Sequence, residues 1–430
     1  MSEHFIYKFS YQEPLISIHP ISKFTFNSLI MAIRVYDSKI TTYTMISAII
    51  LSAICLTNPT MVAADAPGLI NVLNFGAMAD GKTDSARAFQ AAWNSACSSA
   101  NPATIYVPAG RFFLSSANFQ GQSCNNTAIE FCIDGTLVAP SDYRKFKTAD
   151  NVWIKFDKVV GVSISGGILD GQGAALWACK ASSGSCPTGA TTLGFYNSRN
   201  IVIGGLSSIN SQKFHIVFDG SENVNLQGIT ISAAGNSPNT DGVHIQSSSN
   251  VTVLNSRIAT GDDCISIGPG SSNLWIQGII CGPGHGISIG SLGWTAQEPG
   301  VQNVTVTTSM FKATENGVRI KTWARESNGF VTGVVFEHLT MVLVDNPVII
   351  DQHYCPGSEI GRCPEAVSGI RISNVTYDDI RGTSAKEVGV KLDCSKEHPC
   401  SGITMEGVNL SYNNRPAQDI CINAIGTSCS

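Results

Sequence analysis

The chain has 430 residues, 14% of them charged and 43% hydrophobic, with 41 glycines and a formal net charge of −5. High glycine with low charge excludes a helical bundle, a coiled coil and a disordered chain, and the acidic balance excludes a broad basic surface for nucleic acid. No apolar run reaches the ~18 residues of a membrane span, and the length suffices to bury one large core or two ordinary ones.

In chain order, the first feature is the apolar run Met45–Leu56, which follows Lys39 and precedes the small residues Val62, Ala63 and Ala64. It reads as the h-region of a secretory signal peptide with cleavage near Ala64/Asp65. Residues 1–64 are therefore expected to be a pre-sequence, with residues 65–430 the folded domain. Some 44 residues precede the run, which leaves Met31 and Met45 as alternative starts. Of 14 cysteines, Cys55 falls in this segment, which leaves an odd number. Close pairs at Cys179/Cys186, Cys355/Cys363, Cys394/Cys400 and Cys421/Cys429 suit disulfides formed in an oxidising compartment better than zinc, since no C-x-x-C pair occurs. Sequons beginning at Asn125, Asn250, Asn303, Asn374 and Asn409 agree with secretion.

From about residue 150 to 410 the chain alternates short β-rich runs with Gly, Asn and Ser. A unit starting with Asn and a β-branched or leucine residue recurs at Asn200, Asn223, Asn250, Asn273 and Asn303, at intervals of 23, 27, 23 and 30 residues. No helical periodicity of useful length interrupts it. Short strands at this period predict an all-β solenoid, the single-stranded parallel β-helix. A β-sandwich rarely repeats its strands so regularly.

Four further runs align without gaps, starting at Asp241, Asp263, His285 and Asn316. Val243/Ile245, Ile265/Ile267, Ile287/Ile289 and Val318/Ile320 alternate onto one face and are expected to fill the core. His244, Ser266, Ser288 and Arg319 then point outward. The register extends to Phe214 one coil earlier and to Asn346 and Val388 later, so the column is polar only in its middle coils. Neighbouring strands lie ~4.8 Å apart. Asp241 and Asp263 should thus be adjacent carboxylates, with His285 next in line. A straight strand would aim Asp263 into the core at high cost, so a bend is expected just before it, eased by Gly242, Gly261, Gly284 and Gly286.

Asp241, Asp262, Asp263 and His285 therefore converge on adjacent coils. Arg319 and Lys321 share the external face, and Asn239 lies two residues before Asp241. Singly, each has a bland structural reading as a turn former, a packed histidine or a solvated cation. Together they suit hydrolysis of an anionic polymer. One carboxyl donates a proton, others activate water, and the cations hold substrate carboxylates. The two cations also oppose a metal among the carboxylates, and no metal or cofactor is expected. Asn316 and Asn346 read as ladder residues.

Four segments, Asn239-Thr240-Asp241, Gly261-Asp262-Asp263, Gly284-His285-Gly286 and Arg319-Ile320-Lys321, resemble the four motifs of the polygalacturonases, pectin-cleaving glycoside hydrolases. The longer strings Ser237–Gly242, Gly261–Cys264, Cys281–Gly290 and Asn316–Trp323 are similar to the plant members. The resemblance covers the chain from Asn71 onward. It implies a right-handed parallel β-helix and inverting hydrolysis of α-1,4 galacturonosyl bonds in homogalacturonan. It also implies a secreted, monomeric cell-wall enzyme. By their motifs, Asp262 resembles the general acid, and Asp241 and Asp263 the pair that activates water. His285 is implied to tune the acid or to assist near the cleavage point, and Arg319 and Lys321 to hold a galacturonate carboxylate. Asn239 and Tyr354 are implied as further substrate contacts. The resemblance also implies disulfides Cys264/Cys281, Cys421/Cys429 and Cys97/Cys124, which would leave Cys132 as the odd thiol.

The competing readings are a β-eliminating pectate lyase with Ca²⁺ and an arginine base, a rhamnogalacturonan hydrolase, and a silent pectin-binding protein. The complete acid set and Arg319-Ile320-Lys321 favour homogalacturonan hydrolysis. Asp351-Gln352-His353-Tyr354 is more similar to endo-acting plant members than to exo-acting ones.

Overall fold

The computed structural model describes residues 68–146, 150–182, 185–356 and 367–426. The expected pre-sequence and signal segment lie outside the described residues. From Leu69 onward the chain winds into a right-handed parallel β-helix, as the repeat predicts. Each middle coil lays down three strands. The coil that starts at Val243 supplies Val243–Gln246, Ser249–Leu254 and Arg257–Ala259. Each pairs in parallel with its counterpart in the next coil.

The stack that matters for function has eleven strands. They are β1 (Ala117–Gln120), β2 (Val152–Asp157), β3 (Thr191–Tyr196), β4 (Ile216–Asp219), β5 (Val243–Gln246), β6 (Ile265–Ile267), β7 (Ile287–Leu292), β8 (Asn316–Trp323), β9 (Asn346–Tyr354), β10 (Val388–Asp393) and β11 (Gln418–Ile422). The alternation read from the sequence holds. Val243, Ile265, Ile287, Val318, Val348 and Val390 occupy one interior column in register, and all are buried. Two residues along, Phe156, Phe195 and Phe218 continue into Ile245, Ile267, Ile289, Ile320 and Ile350. The phenylalanines stack face to face at centroid distances of 4.7 and 5.5 Å. Such contacts add about 0.5–1.5 kcal/mol each beyond the area they bury.

The recurring asparagines have a conformational reason. Asn200, Asn223, Asn250, Asn273 and Asn303 all sit at φ between 50° and 60°, a left-handed bend that Asn tolerates better than most residues. Their amides also form ladders. Asn223 donates to Asn200 at 3.1 Å, Asn250 to Asn223 at 3.2 Å, and Asn303 to Asn273 at 3.1 Å.

Three features depart from the sequence reading. A helix, α1 (Ala86–Ser98), buries Ala88, Phe89, Ala92, Trp93 and Ala96 on one stripe and closes the end of the solenoid. Trp93 meets the rings of Phe119, Phe131 and Phe156 at 5.3–6.1 Å, the capping that a stacked core needs. A second short helix, α2 (Ala174–Ala181), interrupts the repeat region expected to hold only strands. It carries Cys179, which is bonded to Cys186. Cys132 is disulfide-bonded and is not the odd thiol. Cys97–Cys124, Cys264–Cys281 and Cys394–Cys400 form as expected. Cys363 and Cys429 lie outside the described residues.

Candidate active site

The polar column sits where the ladder predicts, just ahead of strands β5 to β9. Ile216 pairs with Val243, Val243 with Ile265, Ile265 with Ile287 and Ile287 with Val318. Counting back two residues aligns Phe214, Asp241, Asp263, His285 and Asn316. Asn346 donates to Asn316 Oδ1 at 3.1 Å, and Asn316 donates to the His285 carbonyl at 3.2 Å. Both behave as the ladder residues expected.

The expected bend is present, because strands β5 and β6 begin two residues after Asp241 and Asp263. The glycines serve it in two ways. Gly284 and Gly286, flanking His285, adopt φ of 149° and 87° and need the conformational freedom of glycine. Gly242 and Gly261 serve close approach instead. A Cβ on Gly261 would lie 2.2 Å from the Ser237 carbonyl oxygen, and one on Gly242 would lie 2.5 Å from that of Cys264.

Asp263 is the most enclosed of the carboxylates, at 1% exposure. Its Oδ1 accepts from Ser288 Oγ at 2.7 Å and Arg319 Nη2 at 2.9 Å, and its Oδ2 accepts from Lys321 Nζ at 2.8 Å. Burial pushes its carboxyl up, but Lys321 and Arg319 outweigh that and hold it at about 2. Arg319 and Lys321, which face outward, are nonetheless 7% exposed, because they lie across the sheet onto Asp263. Asp241 has the opposite environment. Burial, with the charges of Asp262 and Asp263 beside it, pushes its carboxyl up to about 8. One proton therefore stays on this group of carboxyls well above the usual carboxylate range.

Asp262 stands off the column and is half-buried. Its Oδ1 lies 3.1 Å from His285 Nδ1 and accepts the Asp263 N–H at 2.8 Å. His285 Nε2 lies 3.3 Å from Glu315 Oε2. Burial opposes charging the imidazole, but Asp262 and Glu315 together raise its pKa. Tyr354 closes the other side. Its ring centroid is 5.2 Å from Lys321 Nζ and 5.9 Å from Arg319 Cζ. Asn239 is exposed at φ 56° on the turn that leads to Asp241.

Asp262, Asp263 and His285 each bring one donor atom within 4.8 Å of the others, as do Asp351, His353 and Asp393 two and three coils beyond His285. In the first group both Asp263 oxygens already accept from cations. In the second, Lys391 Nζ lies 3.2 Å from Asp393. Asp263 and Asp393 are thus each paired with a cation of the chain itself.

The structure therefore brings Asp241, Asp262, Asp263, His285, Arg319, Lys321 and Tyr354 onto one face. Sequence reasoning missed Ser288, which the outward column already contained in register with Arg319. It also missed Glu315, for which the signal was adjacency to Asn316. His244 is a further polar group of the same face. Its Nδ1 is 2.8 Å from Ser266 Oγ, and its ring stacks on Phe214 at 4.9 Å.

One face thus combines a carboxyl that keeps its proton, a carboxylate that does not, and two cations for an anionic ligand. Residues 97–430 match Glycosyl hydrolases family 28. The chain is 61% identical over 367 residues to a polygalacturonase of Prunus persica, covering 85% of this chain and 92% of that protein. It is 42% identical over 361 residues to an exopolygalacturonase of Platanus acerifolia, covering 83% and 94%. Among solved structures, the endo-xylogalacturonan hydrolase of Aspergillus tubingensis superposes with a TM-score of 0.73 at 25% identity, over 84% of this chain and 98% of that one.

Proposed function

The chain belongs to family 28 of the glycosyl hydrolases and is a polygalacturonase that hydrolyses pectin, and from that premise we propose that it cuts α-1,4 bonds inside homogalacturonan with inversion of configuration. The observation that carries the reading is the opposed environment of the clustered carboxylates. Asp263 is held ionised by Arg319 and Lys321, while a proton is retained beside it on the Asp241 side.

The cluster's proton passes from Asp241 to Asp262, which, braced by His285, hands it to the leaving glycosidic oxygen. Asp241 and Asp263 then both carry charge and take the proton of the water that attacks the anomeric carbon from the other face. His285, charged between Asp262 and Glu315 in acid, supports that delivery. Arg319 and Lys321 serve two purposes. They keep Asp263 ionised, and their remaining N–H groups receive a galacturonate carboxylate. Tyr354 and Asn239 border that sugar. No metal enters this scheme.

The resemblance of Asp351-Gln352-His353-Tyr354 to endo-acting plant members supports internal cleavage. The exopolygalacturonase relative keeps an exo reading in play. Product sizing separates them. Early release of mixed oligogalacturonates supports endo action, and release of a single small product from chain ends overturns it. We further propose that residues 1–64 are removed on export and that residues 65–430 act as a monomer in the cell wall. The N-terminal sequence of the secreted protein and its mass in solution test both.

A further inference from the structure

Beyond the carboxylate cluster, a second set of rings lies on the opposite rim of the same sheet. Asp263, His285 and Glu315 precede strands β6, β7 and β8, whereas Trp294 follows β7, Arg325 follows β8 and Tyr354 ends β9. Arg319 and Lys321 lie between the two rims. From Lys321 the rings run outward in contact. Tyr354 meets Trp323 at 5.4 Å and Trp323 meets Trp294 at 5.0 Å, both edge to face. Arg325 sits over Trp294, its guanidinium carbon 3.9 Å from the ring centroid. Trp294 is nevertheless 52% exposed.

An exposed tryptophan is costly unless something covers it, and this one is held rigid. Glu298 accepts the backbone N–H groups of Gly293, Trp294 and Thr295 at 2.5, 3.0 and 3.4 Å. Asn328 Oδ1 in turn accepts the Glu298 N–H at 3.0 Å, which ties the loop after β7 to the loop after β8. Gly293 turns the loop at φ 82°. No carboxylate among the described residues forms an ion pair with Arg325, so its charge is available to a ligand.

We propose that Trp294 and Arg325 form a distal subsite for one further uronate unit of the substrate chain, a reading that rests on polygalacturonase activity. The apolar C–H face of a uronate ring stacks on the open face of the indole, and its carboxylate pairs with the Arg325 guanidinium. Fixing the loop beforehand lowers the ordering cost of binding. The site engages only chains long enough to reach past Arg319, Lys321 and Tyr354, so it reads chain length and charge together.

The test compares kcat/KM on polygalacturonate and on trigalacturonate for wild type, Trp294→Ala, Trp294→Phe and Arg325→Gln, with thermal melts to confirm folding. The ratio of long to short substrate should fall about tenfold in Trp294→Ala and Arg325→Gln, mainly through KM, the scale of one stacked ring or one partly desolvated ion pair. Trp294→Phe should recover most of the ratio. An unchanged ratio in folded Trp294→Ala, or equal losses on both substrates, overturns the subsite. A wild-type protein that leaves polygalacturonate intact overturns the underlying activity instead, so the two failures are distinguishable.

Discussion

Replacing Lys321 by Met isolates the contribution of one charge to the ionised carboxylate at the centre of the site. Lys321 Nζ lies 2.8 Å from Asp263 Oδ2, and both side chains are almost fully enclosed. At an effective dielectric constant of ~20, a pair at that distance interacts by about 6 kcal/mol. Desolvation takes back part of this, and breaking one partner of such a pair costs about 3–5 kcal/mol. Arg319 and Ser288 remain on Asp263, so the carboxyl should rise by about 1–3 units rather than revert fully. The sign follows from the direction of the wild-type shift. Asp263 is depressed to about 2, so it stays a charged base until the pH falls that far. In Lys321→Met the acid limb of kcat/KM on polygalacturonate should move upward by about 1–3 pH units. Asp263 also stabilises the fold above its unfolded pKa and loses that contribution as pH falls through its folded one. The variant should therefore lose more stability at pH 5 than at pH 2. KM should rise, and the preference for de-esterified over esterified pectin should narrow. The assays are the pH–rate profile, thermal melts at both pH values and the ratio of the two pectins. A folded variant whose acid limb and substrate ratio both stay put would refute the reasoning.

Asp262→Asn should lower kcat by about 10²–10⁴-fold with little loss of binding, because an amide cannot protonate the leaving oxygen; more than a tenth of wild-type kcat would remove Asp262 from that role. Asp241 is raised to about 8, so its ionisation weakens the fold progressively from its unfolded pKa up to that value. Asp241→Asn should therefore stabilise the protein by about 1–4 kcal/mol at pH 7 and not at pH 4, with equal melting shifts at both values counting against the assignment. In a secreting host, mass spectrometry should find glycan on Asn125 in preference to Asn250 and Asn303. The amides of the latter two donate along the asparagine ladder, whereas Asn125 is exposed in a loop. Full occupancy of Asn250 would contradict that.

The interior of the solenoid was legible because its period is written twice. Val243, Ile265, Ile287 and Val318 alternate with outward residues, and each recurs one coil later. The same register located Asp241, Asp263 and His285, since a column residue is defined by its distance from the core positions. Burial was less legible. Arg319 and Lys321 face outward yet are enclosed, because Asp263 draws them across the sheet. What lies between strands has no period to read. Trp294, Glu298 and Arg325 belong to loops of unequal length, and Glu315 contacts His285 only because the turn before β8 carries it there. Gly242 and Gly261 show a similar limit. Their sequence positions marked a bend, but only the structure shows that a neighbouring carbonyl, rather than a dihedral angle, demands glycine. Helix α1 escaped notice because it precedes the repeat that commanded the reading.

Time-resolved proton NMR of the reducing ends released from polygalacturonate tests the central claim most directly. It reads the stereochemical outcome of water attack on the face opposite the proton donor. The arrangement of Asp262 against Asp241 and Asp263 predicts that the β-anomer appears first and mutarotates to the equilibrium mixture. Initial appearance of the α-anomer would mean retention through a covalent intermediate, and unsaturated products absorbing in the ultraviolet would mean elimination; either contradicts the account.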